Sequence, residues 1–362
     1  MIKLLAACSP GVVATRQDAA SLEREPSIIL EPLQEFLDRA LLGSGPLSVA
    51  PIGGGHSNLT YALDRGSERF VLRRPPRGLL HASTHDMIRE ARLLRALKPA
   101  GVRVPEVLAE CETPDVIGAP FYIMEFIDGH VLDQDLPPAL AATDDYGRLI
   151  SYELVDALAE LHAVNPSTGP LGAFGRRGGY LERQIQRFHD LLEHNATRPL
   201  PELTRVGNWL AINRPAQSEA TLVHGDYRLG NVMYRVQAPP RIVAVLDWEM
   251  ATLGDPLADL GYLTATWAET DDPADPMLDL SNLTRLPQFP GRDDLIDRYA
   301  NSTGRDVTGL SWYQTLALWK AAIFLEGLYK RYLARATDDS YLARLHTGVP
   351  ELARRAERQT EA

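Results

Sequence analysis

The sequence predicts an α+β protein with two lobes, and three observations support this. The first third of the 362-residue chain carries short apolar runs with the two-residue alternation of strands. The remainder carries apolar residues at the three- and four-residue spacing of helices, and the change falls near residues 125–129. We therefore expect a poorly ordered leader over residues 1–27, an N-terminal lobe over 28–127 and a C-terminal lobe over 128–362.

The N-terminal lobe is predicted to combine an antiparallel sheet with helical segments. Apolar residues recur every four positions over residues 28–42, which is the pattern of an amphipathic helix. Glycines at residues 53–55 and the alternating run at 59–63 predict a glycine turn inside a strand pair, and residues 70–73 predict the next strand. The same reasoning predicts a helix over 84–98 and strands over 102–109 and 121–126.

The C-terminal lobe is predicted to be larger and mainly helical. Apolar spacing predicts helices over residues 151–164 and 180–194. Two short strands, 232–236 and 242–246, flank an Ala-Pro-Pro segment and predict a hairpin. Beyond Leu257 the pattern is helical to the end of the sequence, with one interruption by an acidic, proline-bearing loop.

Composition excludes several classes of protein. The formal net charge of -11 argues against a nucleic-acid-binding surface, because phosphate recognition needs clustered cations. Two cysteines, Cys8 and Cys111, are too few for a disulfide framework or a zinc cluster. The first apolar run is too short for a signal peptide, and no stretch is long enough to span a bilayer. We therefore expect a cytoplasmic protein whose partners are neither nucleic acids nor membranes.

The most informative segment is His-Gly-Asp-Tyr-Arg-Leu-Gly-Asn at residues 224–231, followed by Asp247 at the end of an apolar run. Asp226 and Asn231 fit the Asp-x-x-x-x-Asn part of a kinase catalytic loop. Phosphoryl transfer needs a carboxylate to orient and deprotonate a hydroxyl, plus an Asn and an Asp to hold magnesium. We therefore predict Asp226 as the base and Asn231 and Asp247 as magnesium ligands. Turn capping would explain one of these residues but not all three.

Two further side chains of this segment are assigned to the same site. His224 is expected to brace the loop through hydrogen bonds rather than to titrate during the reaction. Arg228 completes the predicted catalytic set.

The glycine turn is predicted to cover nucleotide phosphates. No lysine follows a glycine in this chain, which excludes a Walker A loop, and the segment leads into a strand, which excludes a dinucleotide fingerprint. What remains is a turn between strands whose backbone N–H groups could bind phosphate, the alternative being an ordinary hairpin turn. The predicted nucleotide contacts in this turn are Gly53, Gly54, Gly55, Ser57 and Asn58.

A kinase also needs a cation on the nucleotide phosphates, held by an acid on a neighbouring helix. Arg73 ends one strand, and Glu90 lies on the inward side of the following predicted helix, so the two are predicted to form this ion pair. Arg replaces the usual Lys, and its planar fork suits bidentate phosphate contact. Arg74 and Arg89 are competing candidates, and a solvated charge cluster is the structural alternative.

These motifs together resemble the aminoglycoside phosphotransferase family, and more narrowly the kinase-like domains found beside acyl-CoA dehydrogenases. The resemblance rests on residues 224–231 and on 245–249, followed by Gly-Asp-Pro at 254–256 and Asp-Leu-Gly at 259–261. It extends from about residue 47 to about residue 333.

The resemblance implies a protein-kinase-like bilobal fold, ATP or GTP as the phosphoryl donor, and magnesium. It places Glu125 and Ile127 in a hinge that meets the nucleotide base, and it makes Asp259 a brace for the catalytic loop. Trp248 follows the magnesium Asp where protein kinases have Phe, and the Ala-Pro-Glu element of protein kinases is absent from the sequence. Both features favour a small-molecule kinase over a protein kinase.

The acceptor stays open at this stage. The acidic segments 271–275 and 293–294 could recruit a polycation such as an aminoglycoside, or could simply be solvated surface. An arginine-rich stretch could instead meet an anionic acceptor such as a hydroxyacyl-CoA or a sugar phosphate. That stretch contains Arg176, Arg177, Arg183, Arg187 and His189. We expect transfer of a γ-phosphoryl group to a small-molecule hydroxyl, with a silent nucleotide- or acyl-binding module as the alternative.

Overall fold

The structure is a computed structural model. It describes residues 11–22, 25–53, 58–76, 86–132, 135–167, 169–216, 219–276, 278–335 and 340–361. By their internal contacts the residues divide into two compact units, Met1–Asp128 and Gly129–Ala362. The first unit holds a β-sheet with helices, and the second is mainly helical, so the predicted α+β class is confirmed.

The first unit is built on a five-stranded antiparallel sheet with the order β3-β4-β5-β7-β6. The strands of this unit are β1 Val12–Val13, β2 Ile28–Ile29, β3 Leu47–Pro51, β4 Leu59–Arg65, β5 Glu68–Arg74, β6 Val107–Cys111 and β7 Phe121–Glu125. Its helices are α1 Arg16–Ala20, α2 Leu30–Arg39 and α3 Met87–Leu97.

Helix α2 packs on one face of this sheet and α3 lies against β6 and β7. Leu33 and Leu37 of α2 are fully buried with Leu72 and Phe121 of the sheet, and the rings of Phe36 and Phe121 meet edge to face at 5.0 Å. Because side chains alternate along a strand, the residues on either side of Leu72 belong to the opposite face.

The structure departs from the predicted leader within residues 12–20. Val12 pairs in parallel with Ile28, and α1 begins at a capping box in which Thr15 accepts from the backbone N–H of Asp18 and the Asp18 carboxylate accepts from Thr15. Such a two-residue strand and five-residue helix carry too few residues for a periodic signal. Residues 1–10 lie outside the described part of the chain.

The second unit contains short strands and longer helices. Its strands are β8 His130–Val131, β9 Thr221–Val223, β10 Val232–Tyr234, β11 Ile242–Val245 and β12 Thr252–Gly254. Its helices are α4 Pro138–Ala141, α5 Tyr146–Ala163, α6 Tyr180–Asn195, α7 Pro201–Ile212, α8 Leu257–Thr266, α9 Arg292–Thr303, α10 Leu310–Leu333 and α11 Leu345–Gln359. Helix α10 contacts α6, α7, α8 and α11, which explains why it is apolar on most of its surface.

Two strand pairs frame the segment of the predicted chemistry. The predicted hairpin is present, with Val232 of β10 paired to Val245 of β11, and β8 joins the other edge of β10. The second pair, β9 with β12, has no counterpart among the predicted elements, and neither has α7. Among the described helices, none combines the length and apolar composition needed to cross a bilayer.

Candidate active site

The segment 224–231, here called the catalytic loop, follows β9 and is hydrogen-bonded to α8. Asp259 of α8 accepts the backbone N–H of His224 at 2.6 Å and that of Gly225 at 2.8 Å. Gly225 has a φ of +85°, and a Cβ there would lie 2.9 Å from both the Cβ and the carbonyl oxygen of Met250. Glycine is therefore required at this turn on both conformational and steric grounds.

Asp259 is itself fully buried and held in its charged form. Burial alone would raise the pKa of Asp259, but hydrogen bonding and attraction from His162 and the N–H of Gly225 hold its pKa below the ordinary value. His162 lies 3.2 Å from Asp259 through Nε2 and 2.6 Å from the Tyr299 hydroxyl through Nδ1. The brace that the resemblance implied is thus a buried network of charged hydrogen bonds.

Both ring nitrogens of His224 are engaged within the loop. Nε2 lies 2.8 Å from the carbonyl oxygen of Leu246, and Nδ1 accepts the backbone N–H of Asp226 at 3.3 Å. The ring is fully buried, with its centroid 4.7 Å from that of Trp248. This arrangement positions the loop and leaves neither nitrogen directed at a substrate.

Asn231 connects the predicted base to the predicted metal side of the site. Its Nδ2 donates to Asp226 twice, at 2.7 Å to Oδ2 and at 2.8 Å to the backbone carbonyl. The backbone carbonyl of Asn231 accepts the backbone N–H of Leu246 at 2.8 Å. Asp247 is the next residue after this contact. The structure therefore brings Asp226, Asn231 and Asp247 to one place.

Asp226 is more basic than an ordinary aspartate. Burial raises the pKa of Asp226, and the nearby Asp247 adds to the effect. Arg228, with Nε 3.8 Å from Oδ1, and a hydrogen bond from the Tyr262 side chain act in the opposite direction. Tyr262 was not predicted from the sequence. Its position three residues after Asp259 on α8, hence on the same helix face, was the available signal.

Asp247 and Asn231 fit a magnesium ion shared with a nucleotide. Asp247 follows β11 with φ 64° and ψ 63°, a left-handed conformation that non-glycine residues adopt at a cost of about 1–3 kcal/mol and that clusters at functional sites. Because the Asn231 nitrogen faces Asp226, its oxygen is left for a cation. Within the described residues no group of three or more His, Cys, Asp or Glu side chains is arranged to hold a metal, so an ion here would depend on ligands that the nucleotide supplies. Two oxygen ligands plus phosphates suit magnesium.

In the first unit, Arg73 and Glu90 meet as predicted, and Arg74 is used differently. The Arg73 Nε lies 3.3 Å from Glu90 Oε2, with side-chain exposures of 11% and 2%. Arg74 points to the opposite face and donates to backbone carbonyls, including that of Ile117 at 3.3 Å and that of Ser27. Arg74 therefore serves the packing of the unit, and Arg73 remains the candidate for phosphate.

The remaining predicted nucleotide contacts are only partly described. Gly53 has φ +78° with open space around it, and Asn58 is buried. Glu125 at the end of β7 accepts from Lys98 Nζ at 2.6 Å and from the backbone N–H of Glu106 at 2.8 Å. Ile127 follows β7 and is partly buried. Three predicted contacts lie outside the described residues: Gly54, Gly55 and Ser57.

A shallow recess opens beside the catalytic loop within the second unit. It is small, with a cavity volume of about 10 Å³, and it opens to solvent, so that the space around its mouth, solvent included, amounts to about 260 Å³. Gly225 and Tyr262 line it on the side of the catalytic loop and α8, Tyr180 lines it from α6, and Tyr313 and Lys320 line it from α10. Sequence reasoning missed Lys320, because nothing in its local pattern separates it from a surface lysine.

Two carboxylates of the acidic segment 271–275 are paired with arginines. Asp272 forms an ion pair and hydrogen bonds with Arg292, and Asp275 is bound by Arg355 at 2.7 Å. Asp294 accepts a backbone N–H at the start of α9. These carboxylates therefore organise the unit, which weakens the case for recruitment of a polycation by this segment.

Some side chains of the arginine-rich stretch also have partners within the protein. Arg183 donates to the carbonyl of Arg176 at 2.9 Å, and the His189 ring packs edge to face on Trp319 with centroids 5.2 Å apart. Arg187 is exposed on α6. Of the stretch, Arg187 is the residue with a charge close enough to Lys320 to lower its pKa.

Comparison with known proteins gives a consistent family. Residues 48–313, more than half of the chain, match the model of the phosphotransferase enzyme family. Mouse acyl-CoA dehydrogenase family member 10 is 33% identical over 332 residues, covering 89% of this chain and 30% of that protein. Human acyl-CoA dehydrogenase family member 11 is 30% identical over 345 residues, covering 92% and 43%. The chain thus spans less than half the length of these two relatives.

Other relatives are phosphotransferases. A viomycin phosphotransferase from Streptomyces vinaceus is 27% identical over 256 residues, covering 67% of this chain and 81% of that protein. A crystal structure of a candidate aminoglycoside phosphotransferase from Ralstonia eutropha superimposes with a TM-score of 0.75 at 30% identity, covering 91% of this chain and 98% of that one. An aminoglycoside phosphotransferase APH(4)-Ia mutant with AMP-PNP and hygromycin B has a TM-score of 0.60 at 17% identity, covering 90% and 98%, and shares the fold.

Proposed function

The chain belongs to the phosphotransferase enzyme family, and from that premise we propose that it transfers the γ-phosphoryl group of ATP or GTP to a hydroxyl of a small molecule. The observation that carries this proposal is the bond from Asn231 Nδ2 to Asp226 Oδ2 at 2.7 Å, on a loop braced by Asp259. It supports one constellation in which a base and two oxygen ligands for magnesium act together.

In the proposed mechanism, Asp226 orients the acceptor hydroxyl and accepts its proton as the oxygen attacks the γ-phosphorus. Its raised pKa makes it a stronger base than an exposed aspartate, while Tyr262 and Arg228 stabilise the carboxylate that the reaction requires. Asn231 and Asp247 would hold magnesium, which supplies charge neutralisation on the nucleotide phosphates when bound.

The first unit would contribute the phosphate cation. Arg73 is held by Glu90 at 3.3 Å in a largely buried pair, which fixes the position of the guanidinium. A guanidinium fork matches two phosphate oxygens at once, so it can replace the lysine of protein kinases.

For the acceptor we propose a hydroxylated metabolite, such as a hydroxyacyl compound, rather than an aminoglycoside. The acyl-CoA dehydrogenase family members match over most of this chain, which favours a setting of acyl metabolism. The pairing of Asp272 and Asp275 with arginines weakens the main feature that favoured a polycation. A viomycin phosphotransferase among the similar proteins keeps the antibiotic class as the second candidate.

The proposal is tested by separating nucleotide binding from transfer. Asp226→Asn should keep the affinity for magnesium–nucleotide, measured by calorimetry, and lose acceptor-dependent ADP or GDP release by about 10²–10⁴-fold. The exposed Asp271→Asn is the matched control and should behave as wild type. A wild-type chain that binds no nucleotide at millimolar concentration would contradict the proposal.

A catalytically silent binding module is the alternative from another class. It would bind nucleotide but release no diphosphate in single-turnover assays with a library of hydroxylated metabolites. The complete set of Asp226, Asn231 and Asp247 favours the enzyme, because a silent module has no need to keep the base.

A further inference from the structure

Lys320 lines the recess beside the catalytic loop without a polar partner among the residues that the structure describes. It lies on α10 and is partly buried. Its ammonium sits over the ring of Phe188, 4.9 Å from the centroid, and forms no hydrogen bond or ion pair with any described residue. A partly buried ammonium normally has a carboxylate or carbonyl partner, because desolvation without one is costly.

The recess that Lys320 lines lies next to the predicted base, Asp226. Gly225 of the catalytic loop lines it directly, and Tyr262, which also lines it, hydrogen-bonds Asp226. The charge of Asp226 acts on Lys320 as well. A small molecule in the recess would therefore contact Lys320 while lying next to the group that deprotonates the acceptor hydroxyl.

The nearby carboxylates are directed elsewhere. Asp259 is bound by the catalytic loop and His162, and Asp255 accepts the Tyr313 hydroxyl at 2.8 Å and the N–H of Leu257 at 3.1 Å. Neither of these carboxylates hydrogen-bonds the Lys320 ammonium, although the charge of Asp259 does act on it.

We propose that this recess is the acceptor subsite and that Lys320 binds an anionic group, a carboxylate or a phosphate, of a hydroxylated acceptor. This inference rests on the proposed function and specifies the substrate class of the same site. The acceptor oxygen forms a bond to the γ-phosphorus while the bond to the bridging oxygen of the nucleotide breaks. The hydroxyl proton goes to Asp226, and the nucleoside diphosphate leaves.

The test is calorimetric titration of the full chain with matched probes and no nucleotide present. The probes are 3-hydroxybutyrate against 1,3-butanediol, and glycerol 3-phosphate against glycerol, so each acid differs from its partner by the anionic group. At pH 7 we expect at least one acid to bind about tenfold or more tightly than its neutral partner, the equivalent of about 1.4 kcal/mol. The two pairs distinguish a carboxylate from a phosphate.

Two variants assign the preference to Lys320. Lys320→Gln should remove the acid preference, and Lys320→Arg should retain it. The matched control is Lys330→Gln, the same change on an exposed part of α10 away from the recess, which should retain it too. The inference is overturned if no acid binds better than its neutral partner, or if Lys320→Gln keeps the preference. Because nucleotide is absent, failure of phosphoryl transfer would be a separate result.

The pH dependence gives an independent readout. Burial and the neighbouring Arg187 lower the pKa of Lys320 to about 8, against the opposing influence of Asp259 and Asp226. The acid preference should therefore weaken as pH rises through about 8 in the wild type and persist in Lys320→Arg. The titratable and charged groups around the ammonium are Tyr180 and Arg187 of α6, Asp259 and Tyr262 of α8, Asp226 of the loop, and Tyr313 of α10. A preference that is constant from pH 7 to 9 would contradict the role of the ammonium.

Discussion

Among single residues, Asp226 has the protonation state on which the proposed phosphoryl transfer depends. The base must be ionised to accept a proton, so activity should be lost as pH falls through its pKa. Burial raises that pKa above the ordinary value of an aspartate, and the side chain of Tyr262 lowers it by hydrogen bonding. The acid limb of the rate profile is therefore a direct report on these two opposing effects.

Tyr262→Phe tests this balance. Loss of the hydroxyl removes a hydrogen bond to the carboxylate, so the acid limb of kcat/KM should move to higher pH, with a smaller change on the neutral plateau. The measurement is the pH profile of kcat/KM for wild type and variant. The control is Tyr332→Phe, the same change on another helix, α10. An acid limb that stays in place would show that Tyr262 does not act on Asp226.

The residues that the sequence revealed share a local signature. Asp226 and Asn231 are five positions apart on one loop, and the hairpin of β10 and β11 returns the chain to Asp247 within a predictable distance. Tyr262 and Lys320 reach the same place from separate helices. Their position depends on tertiary packing, for which single-sequence periodicity carries no information.

At the scale of elements, α8 holds the catalytic loop through Asp259. Asp259→Asn should lower the free energy of unfolding by about 3–5 kcal/mol, because it removes a buried charge on which two backbone N–H groups and His162 depend. The exposed Asp297→Asn on α9 should change it by less than about 0.5 kcal/mol. Urea unfolding at pH 7 measures both, and equal stabilities would contradict the bracing role.

The hydrogen bonds that Asp259 accepts also predict that the free energy of unfolding decreases at acid pH. The folded-state pKa of Asp259 lies below the ordinary aspartate value, so its contribution is present above that ordinary value and is lost as pH falls through the lowered pKa. Stability measured from pH 6 downward should therefore fall less steeply in Asp259→Asn than in the wild type.

Strand β5 places two adjacent arginines on opposite faces, which separates the residue proposed to bind nucleotide from one that serves packing. Arg73→Met should raise the nucleotide Kd by about 10–100-fold, the range expected for a charged hydrogen bond of about 1.5–3 kcal/mol, and should also lower the unfolding free energy because it removes the arginine partner of the buried Glu90 carboxylate. Arg74→Met should lower the unfolding free energy, because it leaves buried carbonyls without a donor, and should leave the nucleotide Kd unchanged. Calorimetry and urea unfolding of both variants check this, and the reverse pattern would exchange the two roles.

Element prediction from sequence succeeded where periodic patterns were long. The helices α2, α3, α5 and α6 and the hairpin of β10 and β11 all occur where apolar spacing placed them. The missed elements include β1 and α1 within the predicted leader, the pair β9 and β12, three residues each, and α7. A three-residue strand carries too few alternations to be recognised, so its existence is decided by partners distant in sequence.

At the scale of the whole molecule, magnesium should link ligand binding to stability. A ligand that binds the folded state alone stabilises it by about 2.7 kcal/mol at 100 times its Kd. The Tm should therefore rise with ATP or GTP when magnesium is present, and chelation by EDTA should remove most of the rise. Asn231→Ala should behave like chelation, and an unchanged shift after either treatment would contradict the assignment of Asn231 and Asp247.

The division into a β-rich and an α-rich unit was evident from composition along the chain, because strand and helix periods differ. The net charge of -11 was less informative about the site. Much of the acidic segment is neutralised by Arg292 and Arg355, which lie 20 and 80 positions from their partners, so its surface character could not be deduced from sequence alone.

The central claim is that Asp226 serves transfer of a phosphoryl group to a small molecule. The most direct measurement is a mass-spectrometric screen of a hydroxylated-metabolite library with ATP or GTP and magnesium, run with wild type and Asp226→Asn side by side. We expect a phosphorylated small molecule in the wild-type reaction that is absent or reduced by at least about 100-fold with Asp226→Asn. Equal product from both proteins, or no product from the wild type in a library rich in hydroxy acids, would contradict it.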